Sequence, residues 1–325
     1  MAIPDPTPPP KEASLGAKMM SVKRQWLYLL LIVCTTIPAF VSVPVPNKPV
    51  QASMDFYRMV MSIPEGSTIL IESDWTKSTR GESMGEMEAL LRILMRRNIK
   101  FAVYATADPQ APQVARDTIE KVSKEQAAAG GRPYERWNDW VSLGFFPNSE
   151  GMNNAIATDL RKAFAGRTES PGPGQPQTDV FQSPVLKNVS KVGDVPLLLV
   201  VTASKTFDII VERLYGKVTL GAMVTGVMGP ESIVYYSSGQ MQGICVGLKG
   251  VYDIETMMED GINTPPGKPK VVDEKHKEPV PGFPGMANAG KGKAYYPTLH
   301  VALTLMILAI VVGNIGMYLS RKEPK

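Results

Sequence analysis

The chain has 325 residues, 44% of them hydrophobic, and a formal net charge of +4. The surplus positive charge lies in the two end segments, residues 1–25 and 320–325, so the region between them lacks the basic surface that binds nucleic acid. The two cysteines and two histidines are not clustered, which argues against zinc and iron–sulfur sites, and we predict neither a metal nor a cofactor.

The N-terminal part of the chain combines a proline-rich tail with an apolar run. Residues 1–25 are expected to be a disordered, cytoplasmic tail. Residues 26–43 carry no formal charge, and we predict an uncleaved transmembrane helix there, with the core of a signal peptide as the alternative. Residues 44–66 are predicted to be a linker that ends in a short amphipathic segment.

Strand and helix patterns alternate through residues 67–260. This alternation predicts a three-layer α/β domain, Rossmann-like or flavodoxin-like, with a mainly parallel five-stranded sheet. A proline- and glycine-rich stretch at 166–184 predicts a surface excursion. The predicted strands are 68–74, 99–106, 140–146, 197–201 and 218–225, and the predicted helices that follow them in turn begin near 84, 112, 152 and 205.

A second apolar run follows near the C-terminus. Residues 261–298 are predicted to be a Pro/Gly/Lys tether, and residues 299–319 carry no charge and would span about 30 Å as a helix, which matches a hydrocarbon core. We therefore predict two transmembrane helices that flank the domain. Because the surplus basic residues lie in the tails 1–25 and 320–325, we expect both termini on the cytoplasmic side of the inner membrane and the domain outside it.

Polar residues follow each predicted strand. Because ligands of such sheets bind at the carboxyl ends of the strands, this rim is a candidate small-molecule site. The alternative is that these residue types cap helices and form turns. The rim residues are Asp74, Thr106, Asp108, Asn148, Ser149, Thr202, Ser204 and Thr225.

Residues 81–85 match the G-x-S-x-G pattern of a serine-hydrolase elbow, with Ser83 as the nucleophile. The elbow requires the serine directly after a strand and beside a histidine. Here polar residues separate Ser83 from the predicted strand, and His276 lies in the tether, so we favour a chance match. No G-x-x-x-x-G-K-[ST] loop is present and no G-x-G-x-x-G follows the first strand, so nucleotide binding of either kind is not expected.

Gly239, Gly243 and Gly247 recur at intervals of four in an uncharged stretch that runs from residue 232 to residue 248. On a helix they would form a smooth stripe that packs against a neighbour, either a partner chain or the protein's own sheet. Together with the strand–helix order and the flanking apolar runs, the segment SGQMQGICVGLKG resembles a group of uncharacterised bacterial membrane-anchored proteins. The resemblance implies a bacterial origin and this architecture, and it assigns no activity to any residue.

These observations favour a non-enzymatic envelope protein whose external domain binds a protein partner, as a component or accessory of a membrane complex. Two alternatives stay open. One is a tethered small-molecule sensor or transport accessory that uses the strand-end rim, and the other is an envelope serine hydrolase that uses Ser83.

Overall fold

The computed structural model describes residues 15–40, 45–265 and 269–322. Contacts within the chain divide it into two units. One unit is the α/β domain of residues 46–293, and the other comprises the two ends of the chain.

The domain is built on a six-stranded sheet. In chain order the strands are β1 (Thr68–Asp74), β2 (Lys100–Ala105), β3 (Trp140–Phe145), β4 (Thr168–Glu169), β5 (Thr178–Asp179), β6 (Leu198–Thr202), β7 (Leu220–Val224) and β8 (Gly243–Val246). The sheet order is β3-β2-β1-β6-β7-β8 and every pair is parallel, whereas β4 and β5 form a separate antiparallel pair. Once β4 and β5 are set aside, this is the doubly wound order of Rossmann folds.

Helices cover both faces of the sheet. The helices are α1 (Leu15–Met20), α2 (Arg24–Phe40), α3 (Gln51–Met61), α4 (Ser83–Arg96), α5 (Ala111–Ala128), α6 (Ser149–Thr158), α7 (Leu160–Ala163), α8 (Thr206–Leu214), α9 (Gly229–Ser237), α10 (Gly247–Asp260) and α11 (Lys291–Lys322). Successive strand residues point to opposite faces, so Ile69 and Ile71 pack under α3, α4, α5 and α10, while Leu70 packs under α6 to α9. The parallel three-layer prediction is confirmed.

The predicted number of strands is wrong. The sixth strand, β8, lies inside the glycine-containing stretch that was expected to be helical. The strand has only four residues and is too short to show an alternating pattern. Its existence depends on pairing with β7, where Ala222 lies opposite Ile244, and that pairing is a long-range contact.

The expected tether is held against the domain for much of its length. Ile262 and Val280 exchange two backbone hydrogen bonds of 2.8 and 2.9 Å. We call residues 269–290 the strap; Asp273 within it is fully buried and pairs with Arg58 of α3 at 2.7 Å. The prolines and glycines of the strap prevent regular secondary structure. They do not prevent its side chains and backbone groups from forming hydrogen bonds and ion pairs with the rest of the domain.

The ends of the chain form the second unit. Among the described residues, α11 is the one helix long and apolar enough to cross a membrane, with a mean hydropathy of 2.1 in its most apolar window. The second predicted span is not supported, because α2 has 17 residues and rises about 26 Å, less than a hydrocarbon core of about 30 Å. Residues 41–43 of that prediction lie outside the described residues, as do residues 1–14 of the tail.

Candidate functional site: the carboxyl edge of the sheet

The sheet reverses its winding between β1 and β6, and the crevice of a doubly wound fold opens at the carboxyl ends of such strands. Asp74 ends β1 and Thr202 ends β6, directly opposite each other in the register. Thr106 follows β2 on the other side of β1. The structure thus brings three of the predicted rim residues together at the switch point.

Asp74 is almost completely buried and joins β1 to the loop after β2. Its Oδ1 accepts hydrogen bonds from the backbone N–H groups of Thr106 (2.8 Å) and Ala107 (3.0 Å). Its Oδ2 lies 3.1 Å from the Thr106 hydroxyl. Thr202 donates to the backbone oxygen of Asp74 at 3.3 Å. The carboxylate therefore has protein partners on both oxygens.

Glu72 lies two residues earlier on the same face of β1, and no sequence pattern distinguishes it as a site residue. Its side chain is fully buried, its Oε1 lies 2.5 Å from the Thr106 hydroxyl, and its Oε2 has no hydrogen-bond partner. Burial, followed by the neighbouring charge of Asp74, raises the pKa of Glu72 well above its ordinary value. Burial therefore favours the protonated form of Glu72.

The Thr106 hydroxyl lies between the two carboxyl groups, 2.5 Å from Glu72 Oε1 and 3.1 Å from Asp74 Oδ2. The Thr106 hydroxyl has one proton and cannot donate to both carboxyl groups. It therefore donates to one of the two at a time, and a protonated Glu72 would let the Thr106 oxygen accept from Glu72 while the hydroxyl donates to Asp74 Oδ2. We call Glu72, Asp74, Thr106, Tyr104 and Asn153 the switch-point cluster. Tyr104 is fully buried and donates to Asn153 of α6 at 3.3 Å, so the cluster links β1, β2 and α6.

The remaining rim residues act mainly as caps and turns. Asn148 caps α6 by accepting the Gly151 N–H at 2.9 Å. Asp108 accepts the Gln110 N–H at 2.7 Å before α5, and Ser204 accepts the Thr206 N–H at 3.3 Å at the start of α8. Ser149 begins α6 and accepts from Asn153, whereas Thr225 precedes a short 3₁₀ turn at Gly226–Met228. The rim is not one open polar surface.

The three glycines do not form a helical stripe. Gly239 lies in the turn after α9, with a φ of +76° that favours glycine. Gly243 begins β8, and Gly247 begins α10. A Cβ at Gly243 would overlap the backbone of Phe56 on α3, so this glycine packs against the protein's own domain.

Two further glutamates at the carboxyl edge also escaped the sequence analysis. Glu82 accepts the Gly226 N–H at 2.6 Å, after β7. Glu86, one turn later in α4, is fully buried, and neither of its oxygens has a hydrogen-bond partner. Burial, and next the charge of Glu82, raises the pKa of Glu86 well above its ordinary value. Buried carboxyl groups leave no signal in a single sequence, because a strand or helix pattern does not say which polar residue faces inward.

Ser83 is far from a histidine base. It begins α4 at the carboxyl edge, with its side chain fully buried. His276 lies in the strap, where its Nε2 is 3.5 Å from Asp55, in a cleft lined by Thr219 and Gln242 at the amino ends of β7 and β8. The two residues thus lie at opposite edges of the sheet.

An exposed apolar surface begins at the same carboxyl edge. Val227 follows β7 and is 88% exposed, while Ile233 and Val234 on α9 are 51% and 63% exposed. We call these three residues the apolar α9 face. Ile233 and Val234 also belong to the uncharged stretch at 232–248. Clustered exposed apolar residues mark interaction surfaces more often than scattered ones do.

The described residues contain no group of three or more His, Cys, Asp and Glu side chains placed to hold a metal ion. Comparisons with protein-family models, with curated proteins and with solved structures give no significant match to this chain.

Proposed function

We propose that this protein is a membrane-anchored, non-enzymatic binding protein. Its α/β domain holds a protein partner, as a component or accessory of a membrane complex, and the apolar α9 face makes the contact. The observation that carries the proposal is the exposure of Val227, in the turn after β7, and of Ile233 and Val234, consecutive residues of the helix that follows it. Covering such a surface with a partner removes apolar area from water, which is the main favourable term in protein association.

The switch-point cluster favours this proposal over the two alternatives. In a ligand-binding rim we would expect polar atoms that face an open pocket. Asp74 and Thr106 instead satisfy each other, and Asn148 and Ser204 are engaged in capping. For a serine hydrolase, Ser83 would need a base, and His276 lies at the other edge of the sheet.

The anchor in this proposal is α11. Its apolar part ends in a basic segment with Arg321 and Lys322, which favours the cytoplasmic side for the C-terminus and the outer side for the domain. The run at residues 26–43 would then act as an export signal or as a second membrane segment. Reporter fusions after residue 325 and within residues 166–184 should report opposite sides of the membrane. If both report the same side, this orientation is wrong.

Photo-crosslinking in native membranes tests the partner surface. The full chain is made with p-benzoylphenylalanine at position 234, and a matched version carries it at position 272, where Val272 is 49% exposed on the strap. We expect one discrete protein adduct from position 234 and none of the same mass from position 272. Ile233→Asp should remove this adduct without lowering the unfolding temperature, because the side chain is exposed.

Three results would overturn the proposal. They are lipid adducts alone from position 234, the same adduct from both positions, or an adduct that persists unchanged in Ile233→Asp.

A further inference from the structure

A cleft of 760 Å³ lies between the C-terminal turns of α4 and α5 and the strap. This volume is within the range of about 300–1,000 Å³ typical of small-molecule sites. We call it the arginine cleft, because Arg92, Arg96 and Arg132 line it. It lies near the amino edge of the sheet, beside Asn98, whereas the apolar α9 face begins at the carboxyl edge. The two surfaces are therefore independent.

Two of the three arginines have carboxylate partners. Arg132 forms a two-pronged pair with Asp139, with N–O distances of 2.8 and 2.9 Å. Arg92 lies 3.6 Å from Glu88 and 3.4 Å from Glu125. These acidic groups offset the charge of both guanidinium groups.

Arg96 is different. Among the described residues it has no carboxylate within ion-pair distance. Its hydrogen bonds go to neutral acceptors on the strap, Asn288 Oδ1 at 2.5 Å and the Ala287 carbonyl oxygen at 3.1 Å. Burial, and next the positive charge of Arg92, lowers the pKa of Arg96, while the more distant charge of Glu259, whose carboxylate accepts from Asn288, acts in the opposite direction. A nearby anion would stabilise the charged Arg96 guanidinium, because it offsets both the burial of this cation and its repulsion by Arg92.

The rest of the cleft is apolar in large part. Met95 and Val122 come from α4 and α5, and Phe283 and Met286 come from the strap. The Arg96 guanidinium lies over the Phe283 ring, 5.3 Å from its centroid. An aromatic or acyl group placed beside Phe283 would thus also bring an attached anion close to Arg96.

We infer that the arginine cleft binds a small amphipathic anion, a carboxylate or sulfonate attached to an aromatic or acyl group. The anionic group pairs with Arg96, and the apolar group packs against Phe283, Met95 and Val122. A guanidinium has five N–H donors, so Arg96 can hold a ligand oxygen while it keeps its contacts to the strap.

Calorimetric titration of the full chain in lipid nanodiscs tests this inference. The probe is naphthalene-2-sulfonate, its neutral comparator is naphthalene-2-sulfonamide, and empty nanodiscs provide the blank. We expect the sulfonate to bind saturably and at least about tenfold tighter than the sulfonamide, as charge-assisted hydrogen bonds require. Arg96→Met should weaken sulfonate binding by about the same factor, whereas Arg80→Met, at an exposed arginine outside the cleft, should leave it unchanged.

A second variant covers the case in which Arg96→Met loosens the strap. Ala129 lies exposed at the rim of the cleft, so Ala129→Trp can fill the cleft without disturbing the core. It should abolish sulfonate binding at an unchanged unfolding temperature. The inference is overturned if the sulfonate does not bind, if it binds no tighter than the sulfonamide, or if Ala129→Trp and Arg96→Met both bind it like the wild type.

Discussion

Gly243 of β8 lies directly against the backbone of Phe56 on α3. A Cβ at position 243 would overlap both the backbone nitrogen and the Cα of Phe56. Phe56 and Gly243 are both buried, so this contact lies within the domain. It lets α3 pack closely on β8 at the end of the sheet.

Gly243→Ala should therefore destabilise the domain. Overpacking of this kind typically costs about 1–3 kcal/mol of unfolding free energy, because either α3 or β8 must shift. The control is Gly81→Ala, since a Cβ at Gly81 meets no atom within 4 Å. Denaturant unfolding of the full chain, followed by tryptophan fluorescence, should show a lower midpoint for Gly243→Ala alone. Equal midpoints would show that α3 does not pack on β8 in this way.

Glu72→Gln should change how stability depends on pH. Burial raises the pKa of Glu72 in the folded protein above its ordinary value of 4.5. At a pH between that ordinary value and the raised folded-state pKa, the folded protein holds a proton that the unfolded chain has lost. The stabilising contribution is therefore complete below about pH 4.5 and is lost as the pH rises through the folded-state pKa. The glutamine variant cannot ionise and does not show this loss.

The measurement is the unfolding free energy of the full chain between about pH 5 and pH 9. The wild type should lose stability with rising pH more steeply than Glu72→Gln, by at most about 1.4 kcal/mol per pH unit for this one group. Glu86→Gln should act with the same sign, because burial also raises the pKa of Glu86. Glu274→Gln, at an exposed position of the strap, is the control. Identical pH profiles for wild type and Glu72→Gln would contradict a raised pKa of Glu72.

Arg58→Met should release the strap from α3. Arg58 pairs with buried Asp273 and also donates to the carbonyl oxygens of His276 and Glu278, both at 2.8 Å. Removing one partner of a buried ion pair typically costs about 3–5 kcal/mol, because the remaining charge is left uncompensated. Trypsin should then cleave the full chain faster after Lys275 or Lys277, with the sites located by mass spectrometry.

Arg213→Met is the control for the strap, because Arg213 forms a surface pair with Glu150. Surface pairs are worth about 0–1 kcal/mol, so cleavage within the strap should proceed at the wild-type rate. A strap that is cleaved no faster in Arg58→Met than in Arg213→Met would show that the Arg58–Asp273 pair does not hold it.

A fluorophosphonate probe should not label Ser83. The side chain is fully buried, and His276, the histidine of the same unit, lies in the strap at the opposite edge of the sheet. Labelling of the folded full chain is read by in-gel fluorescence, with a known serine hydrolase as the positive control. Labelling that disappears in Ser83→Ala would revive the hydrolase alternative.

The sequence by itself determined the class of the domain and one helix that is long and apolar enough to cross a membrane. Runs such as 69–71 and 197–201 are apolar on both faces, which predicts strands of a covered parallel sheet, and the uncharged run at 299–319 lies within α11. These features are local, because a few neighbouring residues suffice to define a period or a run. The rim residues at the ends of β1, β2 and β6 followed from the same reasoning, and three of them lie together at the switch point.

Only the tertiary structure decided the features that depend on distant residues. β8 is a strand because β7 pairs with it, and Gly243 is required because Phe56, almost 190 residues away, lies against it. The strap is held because Arg58 reaches Asp273, although its prolines and glycines had predicted a free tether. Glu72 looks like any polar residue in a strand until the fold places it beside Asp74, away from water, which raises its pKa.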